Sequence, residues 1–171
     1  MTERTTGTGP AEPRWLSPDE QQAWIGVTAL MWLLPGPLDA QLQRDSGLNL
    51  FEYFVLSSLS MAEGRQQRMS DLARQANASA SRLSNVVRRL EAQGWVVRQP
   101  HEHDRRSTVA TLTESGWDTV VAAAPGHVAA VRRLLIDRLT PAQLAALREA
   151  GALVVRETLG DCWADRVLAR P

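Results

Sequence analysis

The stretch from Ser70 to Arg106 constrains the fold most, because it predicts two short helices, a tight turn and a basic hairpin. Ser70 is a suitable N-cap, and Asp71 favours the positive end of the first helix dipole. Only Asn77 and Ala78 separate this helix from the next, as in a helix-turn-helix. A helix pair followed by a hairpin is the outline of a winged helix-turn-helix, which places its second helix in the major groove of DNA.

The second predicted helix has an apolar side and a polar side. It begins after the N-cap Ser79 and ends before Gly94, which suits a left-handed C-terminal position. Its apolar residues recur with the i, i+3, i+4, i+7 spacing of one buried stripe: Leu83, Val86, Val87 and Leu90. The opposite side carries residues that can contact bases or phosphates: Ser81, Arg82, Asn85, Arg88 and Arg89. Asn pairs with adenine, Arg with guanine or phosphate, and Ser with several base edges.

Such a polar side is more often simply solvated, so the DNA-binding interpretation depends on the neighbouring elements and on charge. Runs of β-type residues at 95–98 and 107–112 flank a polar tip at 99–106, which predicts a hairpin wing. The formal net charge of the chain is zero, yet residues 65–106 hold nine arginines against four acidic residues. A local basic patch on a neutral chain favours a polyanionic partner, here double-stranded DNA.

The whole chain predicts a mainly α (α+β) fold in which outer helices flank the winged unit. We expect a disordered arm at 1–16 and one domain at 17–171. In that domain the winged helix-turn-helix covers about 50–112, and outer helices cover about 17–46 and 113–160. The winged unit alone cannot cover their apolar stripes, so we predict dimerisation helices that form a homodimer across a two-fold axis. Such a dimer reads a pseudo-palindrome with half-sites about 34 Å apart.

Capping patterns and prolines predict where the outer helices begin and break. Ser17 with Glu20, and Thr140 with Gln143, are capping-box sequences. The Pro-Gly-Pro run at 35–37 predicts a break or a sharp kink, because proline inside a helix removes a hydrogen bond and clashes with the preceding turn.

Composition excludes several classes of protein. The single cysteine, Cys162, cannot form an intramolecular disulfide, which fits a reducing cytoplasm. The N-terminus lacks the pattern of a secretory leader, and no apolar run approaches the ~20 residues that span a bilayer. We therefore expect a cytoplasmic protein without membrane contact. The common catalytic and cofactor-binding motifs are missing, so we predict neither an enzyme nor a bound cofactor or metal.

Four segments resemble the MarR family of bacterial transcriptional regulators in their residues and spacing. They read Met-Ser-Asp-Leu-Ala at 69–73, Arg-Leu-Glu-Ala-Gln-Gly-Trp-Val at 89–96, Asp-Arg-Arg at 104–106 and Thr-Val-Ala-Thr-Leu-Thr-Glu-Ser-Gly at 108–116. The resemblance extends over residues 17–159 in the order and spacing of the predicted elements. It implies an obligate homodimer, a winged unit that reads DNA, and repression that is relieved by a small, often aromatic or phenolic, ligand.

The resemblance also assigns DNA-contacting residues by position. The base-facing start of the recognition helix corresponds to Ser79, Ser81, Arg82 and Asn85. In the wing, Asp104 corresponds to an acid that braces the hairpin through an ion pair. Arg105 and Arg106 complete a motif from which an arginine enters the minor groove, where the negative potential is deep.

Two positions depart from the family pattern. Many members have Asp and Arg where this chain has His101 and His103, so the second anchor of the wing is weaker or depends on pH. Many members also have Asp where Arg88 stands, which removes a bracing ion pair and frees Arg88 for phosphate. Two histidines are too few for a stable zinc site, so we expect a solvated wing tip.

Three further hypotheses concern ligands and partners. The aromatic residues Trp24, Trp32, Tyr53 and Phe54 either line an effector pocket or belong to the core and the dimer interface. Cys162 is either a small buried residue or the sensor of a redox-responsive regulator. The winged helix is alternatively a protein-interaction module, in which case any binding to nucleic acid depends little on salt.

Overall fold

The structure is a computed structural model that describes residues 13–101 and 104–160, apart from the side chains of Arg105 and Arg106. Most of the predicted N-terminal arm, His103 and Cys162 lie outside the described residues. The helices are α1 Pro18–Leu33, α2 Pro35–Ser46, α3 Leu50–Ser60, α4 Met69–Gln75, α5 Ala80–Ala92, α6 Glu114–Leu134 and α7 Pro141–Leu159. The strands are β1 Gln66–Arg68, β2 Val96–His101 and β3 Asp104–Leu112. This composition confirms the predicted mainly α fold with a small sheet.

The chain divides into two units, of which the first ends at Leu34 and the second begins at Pro35. The first unit contains α1, and its start confirms the predicted capping box. Ser17 Oγ accepts a hydrogen bond from Glu20 N, and the Glu20 carboxylate accepts one from Ser17 N. No residue of α1 is buried, although several of its apolar side chains are large. The predicted break is present, because α2 starts as a new helix at Pro35.

A shared core joins α3, α4, α5 and the sheet within the second unit. The sheet is antiparallel with the strand order β1–β3–β2. Side chains from all of these elements are buried in it: Leu56, Leu59, Leu72, Leu83, Leu90, Val96, Ala110 and Leu112. The expectation that Ser70 caps α4 is wrong. Because Arg68 still pairs with Val109 in the sheet, the helix begins at Met69 and Ser70 lies inside its first turn.

Helix α6 continues as one helix through Pro125. The next residue, Gly126, lies where α6 approaches α2. A Cβ added at Gly126 would lie 3.1 Å from Gln41 Nε2 and 3.3 Å from Asp45 Oδ2. The absence of a side chain at Gly126 therefore permits the close packing of these two helices.

The segment Glu114–Arg138 is long and apolar enough to cross a membrane by length and composition alone. This corrects the expectation that the chain holds no such run. Within the second unit, however, Val120, Ala123 and Ala130 of α6 are buried. One side of α6 therefore packs within the second unit.

Helix α7 begins at the second predicted capping box, which the structure confirms. Thr140 Oγ1 accepts a hydrogen bond from Gln143 N, and the Gln143 side chain accepts one from Thr140 N. No residue of α7 is buried. The boundaries of the domain and of its dimerisation helices stay predictions.

Gly116 packs where the first turn of α6 meets the start of β2, which leads to a prediction about stability. A Cβ on Gly116 would overlap the carbonyl oxygen of Trp95 and lie 2.7 Å from Leu112 Cδ1. The Trp95 oxygen is held by a hydrogen bond from Thr113 N, and Leu112 is in the core. We expect Gly116→Ala to lower the free energy of unfolding in urea by about 1–3 kcal/mol, as overpacking does. The exposed neighbour supplies the control: Ser115→Ala should change it by less than about 0.5 kcal/mol. Equal losses in both variants would contradict the packing argument.

His127 on α6 leads to a prediction about pH. Burial lowers the pKa of His127, and its Nδ1 is buried without a hydrogen-bond partner among the described residues. The ring of Tyr53 packs against it, with 4.6 Å between the ring centroids. The unfolded chain, with a His pKa of 6.5, therefore binds a proton more readily than the folded protein. The stability that neutral His127 contributes is present above that value and is lost as the pH falls below it.

We accordingly expect the midpoint temperature of thermal unfolding to decrease as the pH is lowered from about 7 to about 5. His127→Gln, which stays neutral throughout this range, should show a smaller decrease. Identical pH profiles for the wild type and the variant would show that His127 does not contribute.

Candidate nucleic-acid interface

Helix α5 is fixed in place by its apolar side. Ser79 caps the helix by accepting a hydrogen bond from Arg82 N at 3.2 Å, as predicted. The predicted stripe is buried, with exposed fractions of 7% or less: Leu83, Val86, Val87 and Leu90. Gly94 follows the helix with φ +75°, the left-handed conformation expected for it. Because four side chains are anchored in the core, the rotation of α5 about its axis is determined.

The opposite side of α5 is accessible within the described chain. All the predicted DNA-contacting residues on this element are exposed: Ser79, Ser81, Arg82, Asn85, Arg88 and Arg89. A surface of hydroxyl, amide and guanidinium groups offers the donors and acceptors needed to contact base edges and phosphates. The contact with DNA itself stays a prediction for each residue.

Two of these arginines are held by the first turn of α3, which the sequence did not predict. The guanidinium of Arg82 lies over the ring of Phe51, with 4.6 Å from its Cζ to the ring centroid. Arg89 Nη2 lies 2.9 Å from Glu52 Oε1, and the side chain of Glu52 is only 14% exposed. Glu52 also accepts a hydrogen bond from Asn49 N, so the same carboxylate takes part in the cap of α3 and pairs with Arg89 of α5. No periodicity rule pairs residues of separate helices, so only the folded structure identifies Phe51 and Glu52.

Arg88 and Asn85 form a pair on the exposed side of α5. Arg88 Nη1 donates a hydrogen bond to Asn85 Oδ1 at 3.0 Å. Nearer the start of the helix, the hydroxyls of Ser79 and Ser81 lie 3.1 Å apart. This contact uses one N–H group of the Arg88 guanidinium. The expectation that Arg88 is available for phosphate stays a prediction.

The wing is attached to α5 by a carboxylate that sequence reasoning missed. Glu91 accepts hydrogen bonds from Arg98 N at 3.0 Å and from Arg98 Nε at 2.8 Å, and it lies 2.6 Å from Nη2. Arg98 Nη1 also reaches Ser84 Oγ at 3.4 Å. Nε and Nη2 both meet Oε2 of Glu91, and Oε1 accepts from the backbone of Arg98. Both partners are about three-quarters buried by side-chain area, so these charge-assisted contacts link the last turn of α5 to β2.

The predicted wing residues lie on β3. Asp104 accepts a hydrogen bond from the hydroxyl of Ser107 on the same strand. Its role in bracing the hairpin stays a prediction. The backbones of Arg105 and Arg106 belong to β3, and their side chains lie outside the described part of the chain. At the end of β2, His101 Nε2 lies 3.1 Å from Arg68 Nη2 of β1. The described residues contain no cluster of three or more potential metal ligands.

A cleft of about 1070 Å³ lies beside the first turns of α5. Its walls combine apolar residues with residues of the polar side of α5: Leu50, Phe51, Phe54, Asn77, Ser81, Arg82, Asn85, Val86 and Arg89. Of the aromatic residues considered for an effector pocket, Phe54 lines this cleft, and Tyr53 packs on His127. Trp24 and Trp32 belong to α1, where they are 57% and 78% exposed.

Comparisons with known proteins agree with this geometry. A model of the MarR family matches residues 46–107. The crystal structure of Sco3205 from Streptomyces coelicolor, a MarR family transcriptional regulator in complex with DNA, is 42% identical with a TM-score of 0.78. That match covers 85% of this chain and 91% of Sco3205. AbsC, a MarR family transcriptional regulator from the same organism, is 41% identical with a TM-score of 0.77, over 87% of this chain and all of AbsC.

A curated relative supports the same conclusion over a shorter segment. The transcriptional activatory protein BadR from Rhodopseudomonas palustris is 38% identical over 80 residues, which are 43% of this chain and 45% of BadR. The chain thus spans about half the length of the curated relatives it matches. With 42% identity to Sco3205 over nine-tenths of that protein, and with the winged helix described above, the chain belongs to the MarR family of transcriptional regulators, which are not enzymes.

Proposed function

We propose that this chain binds a pseudo-palindromic operator as a homodimer and represses transcription until a small ligand releases it. The observation that carries this proposal is the surface of α5, where hydroxyl, amide and guanidinium side chains able to contact bases and phosphates are exposed opposite a buried stripe. The description of Sco3205 as a regulator in complex with DNA supports the same role for this winged unit. Transcription in vitro from a promoter that carries the operator tests the direction of regulation. A repressor lowers the amount of transcript, whereas activation, as the name of BadR indicates for that protein, raises it.

The two groove contacts follow from the positions of α5 and the wing. We propose that α5 enters the major groove with its first two turns, so that Ser81, Arg82 and Asn85 meet base edges. The wing extends from the end of β2 and the start of β3, and we assign Arg106 to the neighbouring minor groove. Ser79 belongs to the same base-facing start of α5, and Arg105 is assigned to the phosphates that flank these contacts.

The homodimer is inferred from apolar surface that the single chain leaves exposed. On α6, Val121 and Val128 are 52% and 54% exposed, and on α7, Leu153 and Val154 are 71% and 66% exposed. A helix without a single buried residue gains little from packing, and most helical stability in proteins comes from packing an apolar face. A second copy of the chain would cover these surfaces across a two-fold axis.

The cleft beside α5 is our proposed effector site. Phe51 and Phe54 offer aromatic surface, and the guanidinium of Arg82 lies directly over Phe51. A small aromatic acid could stack in this cleft and pair its carboxylate with Arg82, which is also a predicted DNA contact. Ligand and operator would then compete for one side chain, and ligand binding would weaken DNA binding.

The dependence of DNA binding on salt tests the proposal against the protein-interaction alternative. For an operator selected from a random duplex library, we expect about a thousandfold loss of affinity between 50 mM and 200 mM salt, because phosphate contacts release counterions. Fluorescence anisotropy with a labelled duplex measures the binding constants. Arg106→Ala should reduce the slope of log affinity against log salt by about one.

A matched charge removal provides the control for this titration. Arg133 on α6 is also exposed but lies far along the chain from the winged unit. Arg133→Ala should therefore leave the slope unchanged. A nearly flat salt dependence of the wild type would favour a protein-interaction module.

A second prediction tests the effector cleft. In a panel of phenolic and benzoic acids, beginning with salicylate, we expect at least one compound to weaken operator binding about 5- to 150-fold at saturation. Phe54→Leu removes the aromatic surface from the cleft and should reduce this response while operator affinity without ligand is kept. Tyr53→Phe keeps a ring outside the cleft lining and should respond as the wild type does. A response that survives Phe54→Leu unchanged would place the effector elsewhere.

A further inference from the structure

The contact between Arg88 and Asn85 limits which hydrogen bonds the recognition surface can offer. The two residues are three positions apart on α5, so they are neighbours on its surface. Arg88 Nη1 donates to Asn85 Oδ1 at 3.0 Å, and both side chains are exposed. Within the described chain, no carboxylate pairs with Arg88 and competes for its guanidinium.

The orientation of the Asn85 amide follows from the chemistry of its partner. An arginine has five N–H donors and no acceptor, so the amide atom that faces Arg88 must be the oxygen. The amide nitrogen of Asn85 is then left to face other partners. The pair therefore presents the remaining N–H groups of the amide and the guanidinium, and its main acceptor is already occupied.

A donor-only surface discriminates between purines. An Asn reads adenine by donating to N7 and accepting from the N6 amino group, so that contact needs Oδ1. Oδ1 already accepts from the guanidinium of Arg88. The N6 amino group is neutral, but its partly positive hydrogens would be repelled by that cation. Guanine instead presents two acceptors, O6 and N7, which match two N–H donors.

We infer that Asn85 and Arg88 read DNA as one unit that selects guanine at its position in each half-site. This inference rests on the proposed function and adds a base preference to it. Arg88 becomes a specificity-determining residue, because it both donates to the base and removes the acceptor that Asn85 needs for adenine. Arg82 and Arg89, which α3 holds through Phe51 and Glu52, remain separate from this unit.

Selection from a random duplex DNA library, followed by sequencing, tests this inference with the full chain. The wild type should enrich guanine over adenine about tenfold or more at one position in each half-site. Arg88→Ala frees Oδ1, so adenine should replace guanine at that position while the rest of the site is kept. The double variant Asn85→Ala with Arg88→Ala should lose this adenine preference. Both residues are exposed, and thermal unfolding verifies that the variants fold.

Arg74→Ala is the matched control, because it removes an exposed arginine of the same winged unit that pairs with Asp71. Its base preferences should equal those of the wild type. The inference is overturned if the wild type prefers adenine at that position, or if Arg88→Ala loses affinity with unchanged base preference, which would make Arg88 a phosphate contact. A wild type that enriches no sequence at all would instead overturn the proposed DNA-reading function itself.

Discussion

The burial of the apolar stripe of α5 is the constraint on which the recognition surface depends. Leu83, Val86, Val87 and Leu90 are almost completely buried, and each such side chain contributes about 1.5–3 kcal/mol relative to exposure. A rotation of α5 by one residue would bring a polar side chain into the core and a leucine or valine into solvent. The stripe therefore decides which residues face outwards. Packing thus selects the side of α5 that carries the predicted DNA contacts.

The parts of the fold that sequence reasoning predicted are those that local physics determines. The capping boxes at Ser17 and Thr140 and the stripe of α5 depend on residues within one or two turns of each other, so their spacing is visible in the chain. The start of α4 was mispredicted because a nonlocal strand pair at Arg68 sets it. The expectation that no segment could span a membrane considered only uninterrupted apolar runs. The segment Glu114–Arg138 contains polar residues, but its length and mean hydropathy together meet the requirement.

The candidate site was predicted as a set of residues, but its connections were not. Sequence identified the exposed residues of α5, whereas the residues that hold Arg82 and Arg89 lie on α3, and Arg98, which binds Glu91, lies on β2. Phe51, Glu52 and Arg98 are separated from their partners by 31, 37 and 7 positions, and each lies on a different element from its partner, so no helical period relates them. Such contacts are set by how elements pack. A hydrophobic pattern predicts that two elements pack, but it does not predict which polar side chains meet at the edge of the packed apolar surface.

The ion pairs of Arg98 on β2 and of Arg89 on α5 differ in burial and in role. Glu91 and Arg98 are largely buried and joined by several charge-assisted hydrogen bonds, which suits a fixed attachment of the wing. In the pair of Arg89 with Glu52, the arginine side chain is 61% exposed and the glutamate side chain 14% exposed. This contact therefore orients Arg89 and leaves much of its side chain accessible to solvent. The first turn of α3 is in turn tied to α2, since Leu50 N donates to Asp39 Oδ1 at 2.7 Å. A ligand that displaced Phe51 in the cleft would therefore move the residue that positions Arg82, which couples the cleft to the recognition surface through direct contacts.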